Sequence, residues 1–374
     1  MMLFTPGPVA VDPKIAQAQA GEMITHRGKQ YQALYKPIIE ELKGMLGAPE
    51  VHVMTGSGTL GVEANVQNAL PAGGKALVLS NGAFGDKLKE HCQLYYETTF
   101  VRLKDAQGWD LERAKAHIDQ AAKKGVKLLA MVHHETSPGI LNKVREICQY
   151  AKGKGMLTLL DGTSAWPAYA LNHADDSVDF YSWASQKALG CPPGLAVVSH
   201  SPDGAKAIEA APVRSNFMNL KSYRKMAGKY ENPTTPAVSI IYSLRVALDR
   251  LKKEGQPAFI ARHAKMAAHV RARLVRMGFK LVSEPGFESS TVTAFFCQKN
   301  KEVNARLQTE YGVKLGGGHA DWADTTLRFC NMGDVDMERI DKGLDALETV
   351  RAELGLGAPT AGGPPGEVKK ERGA

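Results

Sequence analysis

No run of this 374-residue chain is apolar for long enough to cross a bilayer. Stretches such as Leu128-Leu129-Ala130-Met131-Val132 fall far short of the about 20 residues a spanning helix needs, so no membrane partner is expected. Cysteine is scarce and unpaired: Cys92, Cys148, Cys191, Cys297 and Cys330 are scattered, with no C-x-x-C. That argues against a disulfide or zinc framework and fits free thiols in a reducing cytoplasm. The opening MMLFTPGPVAV lacks a basic n-region and is broken by two prolines, so a signal peptide is not expected. Basic runs interleaved with aromatics are missing as well. The formal charge is +8 and the pI about 9.1, yet pairs such as Lys123-Lys124 and Lys252-Lys253 lie on helical patterns among acids. The excess reads as a solvated surface that also attracts anionic metabolites, and nucleic-acid binding is not expected. With 44% hydrophobic and 23% charged residues, wholesale disorder is excluded.

Short apolar runs alternate with amphipathic stretches. Strands are expected at Val51–Met54, Ala76–Leu79, Lys127–Val132, Met156–Leu160, Val178–Ala184 and Leu195–Val198, with helices at Leu60–Leu70, Phe84–Leu94, Leu111–Lys124 and Leu141–Lys152. Such alternation implies an α/β fold with a largely parallel sheet covered on both faces. After the loop YENPTTPAVS comes a long helix with apolar residues at Val238, Ile241, Leu244, Leu248 and Leu251. A smaller unit follows: helix Pro257–Met277, strand Thr291–Cys297, helix Lys301–Tyr311, strand Thr326–Cys330, and a last helix with Asp334 as N-cap. The division expected is residues 14–245 as a large domain, 1–13 with 246–354 as a small one, and 355–374, rich in Gly and Pro and then charged, as a disordered tail.

Two further absences narrow the chemistry. The stretch VHVMTGSGTLGVEANVQNAL carries Gly56-Ser57-Gly58-Thr59-Leu60-Gly61, which is G-x-G-x-x-G between a strand and a helix. A dinucleotide site needs an acid at the end of the second strand; here that strand ends in Ser80-Asn81, and the next acid is Asp86. No Gly-Lys-Ser/Thr follows either, so a P-loop is excluded. What remains is a helix N-terminus lined with small residues and hydroxyls, suited to a single phosphate, or simply a tight turn.

Two other stretches weigh on that choice. Strand Met156–Leu160 ends in Asp161-Gly162-Thr163-Ser164, an acid where parallel sheets bind ligands, although an Asp capping a turn is also common. In DFYSWASQKALGCPPGLAVVS, Lys187 follows a buried strand and precedes a run that cannot be helical. A lysine is rarely buried alone, and one chemical escape is an imine with a carbonyl compound. Together a phosphate cradle, an acid and a buried amine describe a pyridoxal phosphate site.

The segments SQKALGCPPG, GSGT, NGAFG, HHETSPG, LDGTSA and LRFCNMG, with TPGP at Thr5–Pro8, resemble those of class V aminotransferases of the fold type I pyridoxal phosphate family, nearest the alanine–glyoxylate and serine–pyruvate group. The resemblance spans all but the tail. It implies a mainly parallel large domain with helices on both faces, a smaller α+β domain and pyridoxal 5′-phosphate as cofactor. Lys187 would carry the aldehyde and Asp161 would hold the pyridine nitrogen protonated. Ser57, Gly58 and Thr59 would bind the phosphate with Gln186 beside it. Phe84 would stack on the ring, Thr136 would meet the phenolic oxygen, and Thr163 would join Asp161 at the far edge. Tyr230 and Thr235, or Thr234 instead, would complete the phosphate site of a neighbouring subunit, implying a homodimer with shared active sites. Arg328 would grip the substrate carboxylate, and the loop of Thr5 to Pro8, with Gly7, would close over the substrate.

The implied reaction is ping-pong transamination between a small amino acid, alanine or serine, and glyoxylate or pyruvate. Rival readings attach to particular residues. Ala320 stands in GGGHADWAD where a cysteine desulfurase of similar sequence would carry its nucleophile. His26-Arg27 matches the pair with which phosphoserine and 2-aminoethylphosphonate aminotransferases hold a distal phosphate or phosphonate. His133-His134-Glu135 is not H-E-x-x-H, because Pro138 replaces the second histidine, so no metal site is expected.

Overall fold

A computed structural model describes residues 1–104 and 106–356. The rest of the expected tail, 357–374, lies outside the described residues. In chain order the elements are β1 (Met2–Phe4), α1 (Pro13–Gln17), α2 (Lys29–Leu46), β2 (Glu50–Thr55), α3 (Gly58–Ala69), β3 (Lys75–Ser80), α4 (Ala83–Gln93) and β4 (Glu97–Arg102). Then follow α5 (Leu111–Lys123), β5 (Leu128–Val132), β6 (His134–Glu135), β7 (Ile140–Leu141), α6 (Val144–Gly153), β8 (Leu157–Asp161), β9 (Phe180–Ala184) and β10 (Leu195–His200). The remainder is α7 (Pro202–Ala210), α8 (Leu220–Ala227), α9 (Val238–Glu254), α10 (Gln256–Arg276), β11 (Val292–Phe296), α11 (Asn300–Tyr311), β12 (Val313–Gly317), β13 (Thr326–Cys330) and α12 (Met337–Glu353).

Seven strands form one sheet in the order β2-β10-β9-β8-β5-β3-β4. Only β10 runs antiparallel to its neighbours. Strands β5, β9 and β10 of this sheet are buried along their whole length, as their largely apolar sequences require when helices cover both faces. One face packs on Ile38, Leu42, Trp166 and Trp183, the other on Val62, Val66, Leu88 and Phe180.

A second sheet has the order β1-β12-β13-β11. The N-terminal strand therefore crosses to the C-terminal part of the chain, where Met2, Leu3 and Phe4 pair in parallel with Val313, Lys314 and Leu315. Phe4 joins Val270, Leu274, Phe329, Leu344 and Leu347 in that core, and Leu356 packs on its edge.

Local chemistry moves two expected boundaries. The helix read from Leu141 begins at Val144, because Leu141 pairs with His134 in the β6–β7 hairpin. The cap of α12 is Asp336, not Asp334: its carboxylate accepts from Arg339 N, whereas Asp334 N donates to Ala10 O and its side chain holds the Arg339 guanidinium.

Candidate active site

The carboxyl ends of the parallel strands and the helix N-termini that follow them converge on one cavity of about 490 Å³, lined by Thr59, Phe84, His134, Asp161, Thr163 and Lys187 among others. Helix α3 begins at Gly58, directly after β2. Its N-cap Ser57 makes no side-chain capping bond, so the first amides of the helix are free to meet an anion. The glycine is required for space: a Cβ on Gly58 would lie 2.6 Å from Thr163 Cγ2 and 3.0 Å from Ala184 Cβ. The glycine loop thus packs directly on the segment after β8 that carries Thr163.

Asp161 ends β8, is 8% exposed, and accepts a hydrogen bond from Thr163 N at 2.8 Å. Burial raises its pKa, opposed by those bonds and by the Lys187 charge. Lys187 follows β9 and is partly buried; its Nζ donates to the Pro6 carbonyl at 2.8 Å. Burial lowers the Lys187 pKa, and the nearby Arg328 charge pushes the same way against Cys330 and Asp161. The loop of Thr5 to Pro8 is in contact with this amine: a Cβ on Gly7 would sit 2.4 Å from Lys187 Nζ.

Arg328, on β13, is 8% exposed. Its Nε donates to Gly317 O at 2.8 Å and its Nη1 to Thr136 O at 3.3 Å. Among the described residues no carboxylate lies within ion-pair distance of it. Burial lowers its pKa. Phe84, in the first turn of α4, faces the cavity with His319 stacked against it, ring centroids 5.4 Å apart. Gln186 adjoins Lys187 in sequence, and Thr136 meets Arg328 through its carbonyl, but neither is among the residues lining the cavity. Their side-chain oxygens, Oε1 and Oγ1, are buried without a partner, as is Nε2 of His134. Buried polar atoms are rarely left unpaired, and the one of these three that lines the cavity, His134 Nε2, calls for a polar occupant there. A phosphorylated pyridine with a ring hydroxyl and an aldehyde matches this set of free amides, hydroxyls, acid and amine.

Tyr230 and Thr235 do not line this cavity. Tyr230 has φ +53° and its hydroxyl donates to Glu40, while Asn232 is buried between Tyr31 and Val53 O. Arg27 holds the same loop through Asn232 O and Glu231.

Sequence reasoning missed several residues at the site. His134 Nδ1 lies 3.0 Å from Ser164 O; a carbonyl can only accept, so Nδ1 carries the proton and Nε2 presents a lone pair to the cavity. Burial drives its pKa down to about 3. Lys87 and His91 line the cavity from α4, three and seven residues beyond Phe84, a helical spacing that would have shown they share its face.

The family model described as "Aminotransferase class-V" matches residues 14–354. The chain is 30% identical over 360 residues to a protein of Synechococcus sp. named soluble hydrogenase, small subunit, covering 95% of this chain and 94% of that one. It is 30% identical over 377 residues to an uncharacterized aminotransferase of Methanocaldococcus jannaschii, covering 99% and 97%. Among solved structures, alanine–glyoxylate aminotransferase of Nostoc sp. superimposes with a TM-score of 0.88 at 25% identity over 93% of this chain and 94% of that one.

Proposed function

The chain belongs to the class-V aminotransferases, enzymes with the fold type I architecture and pyridoxal 5′-phosphate as cofactor, and from that premise we propose that it moves the amino group of alanine or serine to glyoxylate or pyruvate in two half-reactions. The cofactor supplies an electron sink for the bond to hydrogen at the amino acid's Cα. Lys187 is its point of attachment and then the base that takes the Cα proton; burial favours the neutral amine, which is the form that can do so. Asp161 would hold a proton on the ring nitrogen. The α3 amides, with Ser57, Gly58, Thr59 and Gln186, hold the phosphate. Phe84 covers the ring, and Thr136 and Thr163 bond its edges.

The observation that carries this reading is the pairing of two basic groups, the partly buried Lys187 and the buried Arg328, with no carboxylate bonded to either among the described residues. An amino acid answers both. Its carboxylate makes two parallel bonds to the guanidinium, and its Cα then faces the amine. The loop of Thr5 to Pro8 closes the substrate side, with Gly7 leaving room for the amine. A small neutral side chain is favoured over a distal phosphonate because Arg27 is engaged by Asn232 and Glu231 of the loop after α8. The alanine–glyoxylate relative named above acts on the same pair of substrate types.

Assembly and organisation follow from the same reading. Two copies form a homodimer in the cytoplasm, each lending Tyr230 and Thr235, or Thr234, to the other's phosphate. That accords with a loop which does not line its own cavity. Residues 14–245 make the large domain and 1–13 with 246–354 the small one, in keeping with the pairing of β1 with β12. A panel of donors and acceptors tests the substrate choice, following the absorbance of the cofactor as it loses and regains its aldehyde. Alanine or serine with glyoxylate or pyruvate should turn over best. Preference for phosphoserine or a phosphonate, abolished by Arg27→Ala, would overturn it.

A further inference from the structure

Helix α4 has no cap of its own. It starts after Gly82, which has no side chain to offer, yet its N-terminus must be fixed because Phe84 sits in its first turn. The missing acceptors come from the β6–β7 hairpin some fifty residues later. Glu135 Oε2 accepts from Phe84 N at 3.1 Å and Gly85 N at 2.9 Å. Ser137 Oγ accepts from Ala83 N at 3.1 Å. The two capping residues are bonded to each other: Glu135 Oε1 accepts from Ser137 N at 3.2 Å and Ser137 Oγ at 2.5 Å. Glu135 is completely buried, so four donors and the positive end of the helix dipole replace the water it lost. Gly82 is what allows the approach, since a Cβ there would lie 2.5 Å from Ser137 Oγ and 2.6 Å from Glu135 Cδ.

We propose that Glu135 is a positioning residue of the active site, fixing in one network the ring of Phe84, the hydroxyl of Thr136 and, through the Thr136 carbonyl, the guanidinium of Arg328. Thr136 lies between the two caps, so its backbone cannot shift without breaking one of them, and its carbonyl takes the Arg328 Nη1 bond. The carboxylate also supplies negative charge near Arg328, which makes no ion pair among the described residues. Three contacts on three different parts of the bound molecules therefore share one anchor: ring face, ring hydroxyl and substrate carboxylate. The inference rests on the aminotransferase reading of those three residues.

The test compares holoenzymes of wild type, Glu135→Gln, Glu135→Ala and Ser137→Ala by visible circular dichroism, by the rate of cofactor release, and by kcat and KM. Glutamine keeps one acceptor but turns the other into a donor facing two donors; alanine removes every acceptor. Glu135→Ala should lower kcat/KM about 100-fold, raise KM for the amino acid, weaken the visible dichroism and speed cofactor release; Glu135→Gln should fall about tenfold, part-way along each measure. Ser137→Ala keeps the carboxylate and should change the dichroism in the same direction by less, which serves if Glu135→Ala does not fold. Variants that melt earlier but keep the dichroism, the release rate and kcat/KM within threefold would reduce Glu135 to a fold-stabilising cap and overturn the inference. Failure of wild type to bind pyridoxal phosphate at Lys187 would instead sink the reading beneath it.

Discussion

Gly7→Ala adds one methyl group to an exposed loop, and the structure says where its effect should land. The new Cβ would fall 2.4 Å from Lys187 Nζ, 2.7 Å from Cε and 3.0 Å from Cδ. Normal contact for such atoms is about 3.5 Å, so roughly 1 Å must be found. The end of the lysine can yield more readily than the backbone, and yielding costs it the 2.8 Å bond to the Pro6 carbonyl. A displacement of about 1 Å at a reacting group costs on the order of 100-fold in rate, or about 2.7 kcal/mol of activation free energy. Gly7 also has φ +152°, so alanine there adds about 1–3 kcal/mol of backbone strain. Gly28→Ala separates the two effects: it has φ +90° but nothing within 4 Å of a Cβ. Single-turnover amino transfer and thermal melting should be measured on both variants. Both should lose some stability, and only Gly7→Ala should lose about 100-fold in the single-turnover rate. A Gly7→Ala enzyme within threefold of wild type would refute the claim that this loop packs on the amine.

Lys187→Ala should retain the fold, abolish turnover and leave no label on this segment after borohydride reduction of the cofactor-loaded protein; a label still found at the same peptide would contradict it. Arg328→Lys replaces a two-bond grip by a point charge, so KM for the amino acid should rise about 10- to 100-fold while unimolecular steps change less; an unchanged KM would count against the carboxylate site. Acid should be destabilising well above the carboxylate range. Burial lowers the pKa to about 4 in His133, His173 and His263 and to about 3 in His134. These folded values lie below the ordinary 6.5, so the unfolded chain takes up protons first, and stability present above about pH 6.5 is lost as the pH falls toward 4. At pH 5 each histidine withdraws about 2 kcal/mol, some 8 for the four, comparable to the 5–15 kcal/mol of a whole domain. The buried carboxyls Asp161 and Glu135, raised by burial, recover part of that as they protonate. Urea midpoints at pH 7 and pH 5 that coincide would show that these rings titrate normally.

What could be read from the sequence depended on whether the cause was local. The central strands β5, β9 and β10 announce themselves as largely apolar runs, and Lys187 and Asp161 stand out because their surroundings in sequence are also their surroundings in space. Strand β1 gave no such sign: three residues have no period, and their pairing with Val313–Leu315 spans the length of the chain. The edge strand β4 is polar and mostly open to solvent, so it lacks the apolar signature. Helix α2 carries its period at Tyr31, Tyr35, Ile38, Leu42 and Leu46, but behind the unhelical start THRG no capping side chain marks where it begins. Glu135 looked like part of a failed zinc motif. Its meaning lies in two amides fifty residues earlier, and no spacing rule connects an N-terminus without a cap to a carboxylate in a later hairpin.

The same distinction bears on how the site selects its occupants. Among the described residues Asp161 is the one carboxylate lining a cavity to which Lys87 and Lys187 also contribute, with Arg328 nearby and its guanidinium held only by carbonyls. Uncompensated positive charge in a low-dielectric cavity is unfavourable, and it is relieved when anions enter. In the proposed reading a phosphate on the α3 amides and a carboxylate on Arg328 would relieve it, giving the Lys187 amine less reason to stay neutral than before. On that reading each anion would favour a cation or proton close to Lys187, where the amino group of the substrate would arrive and a proton would be received.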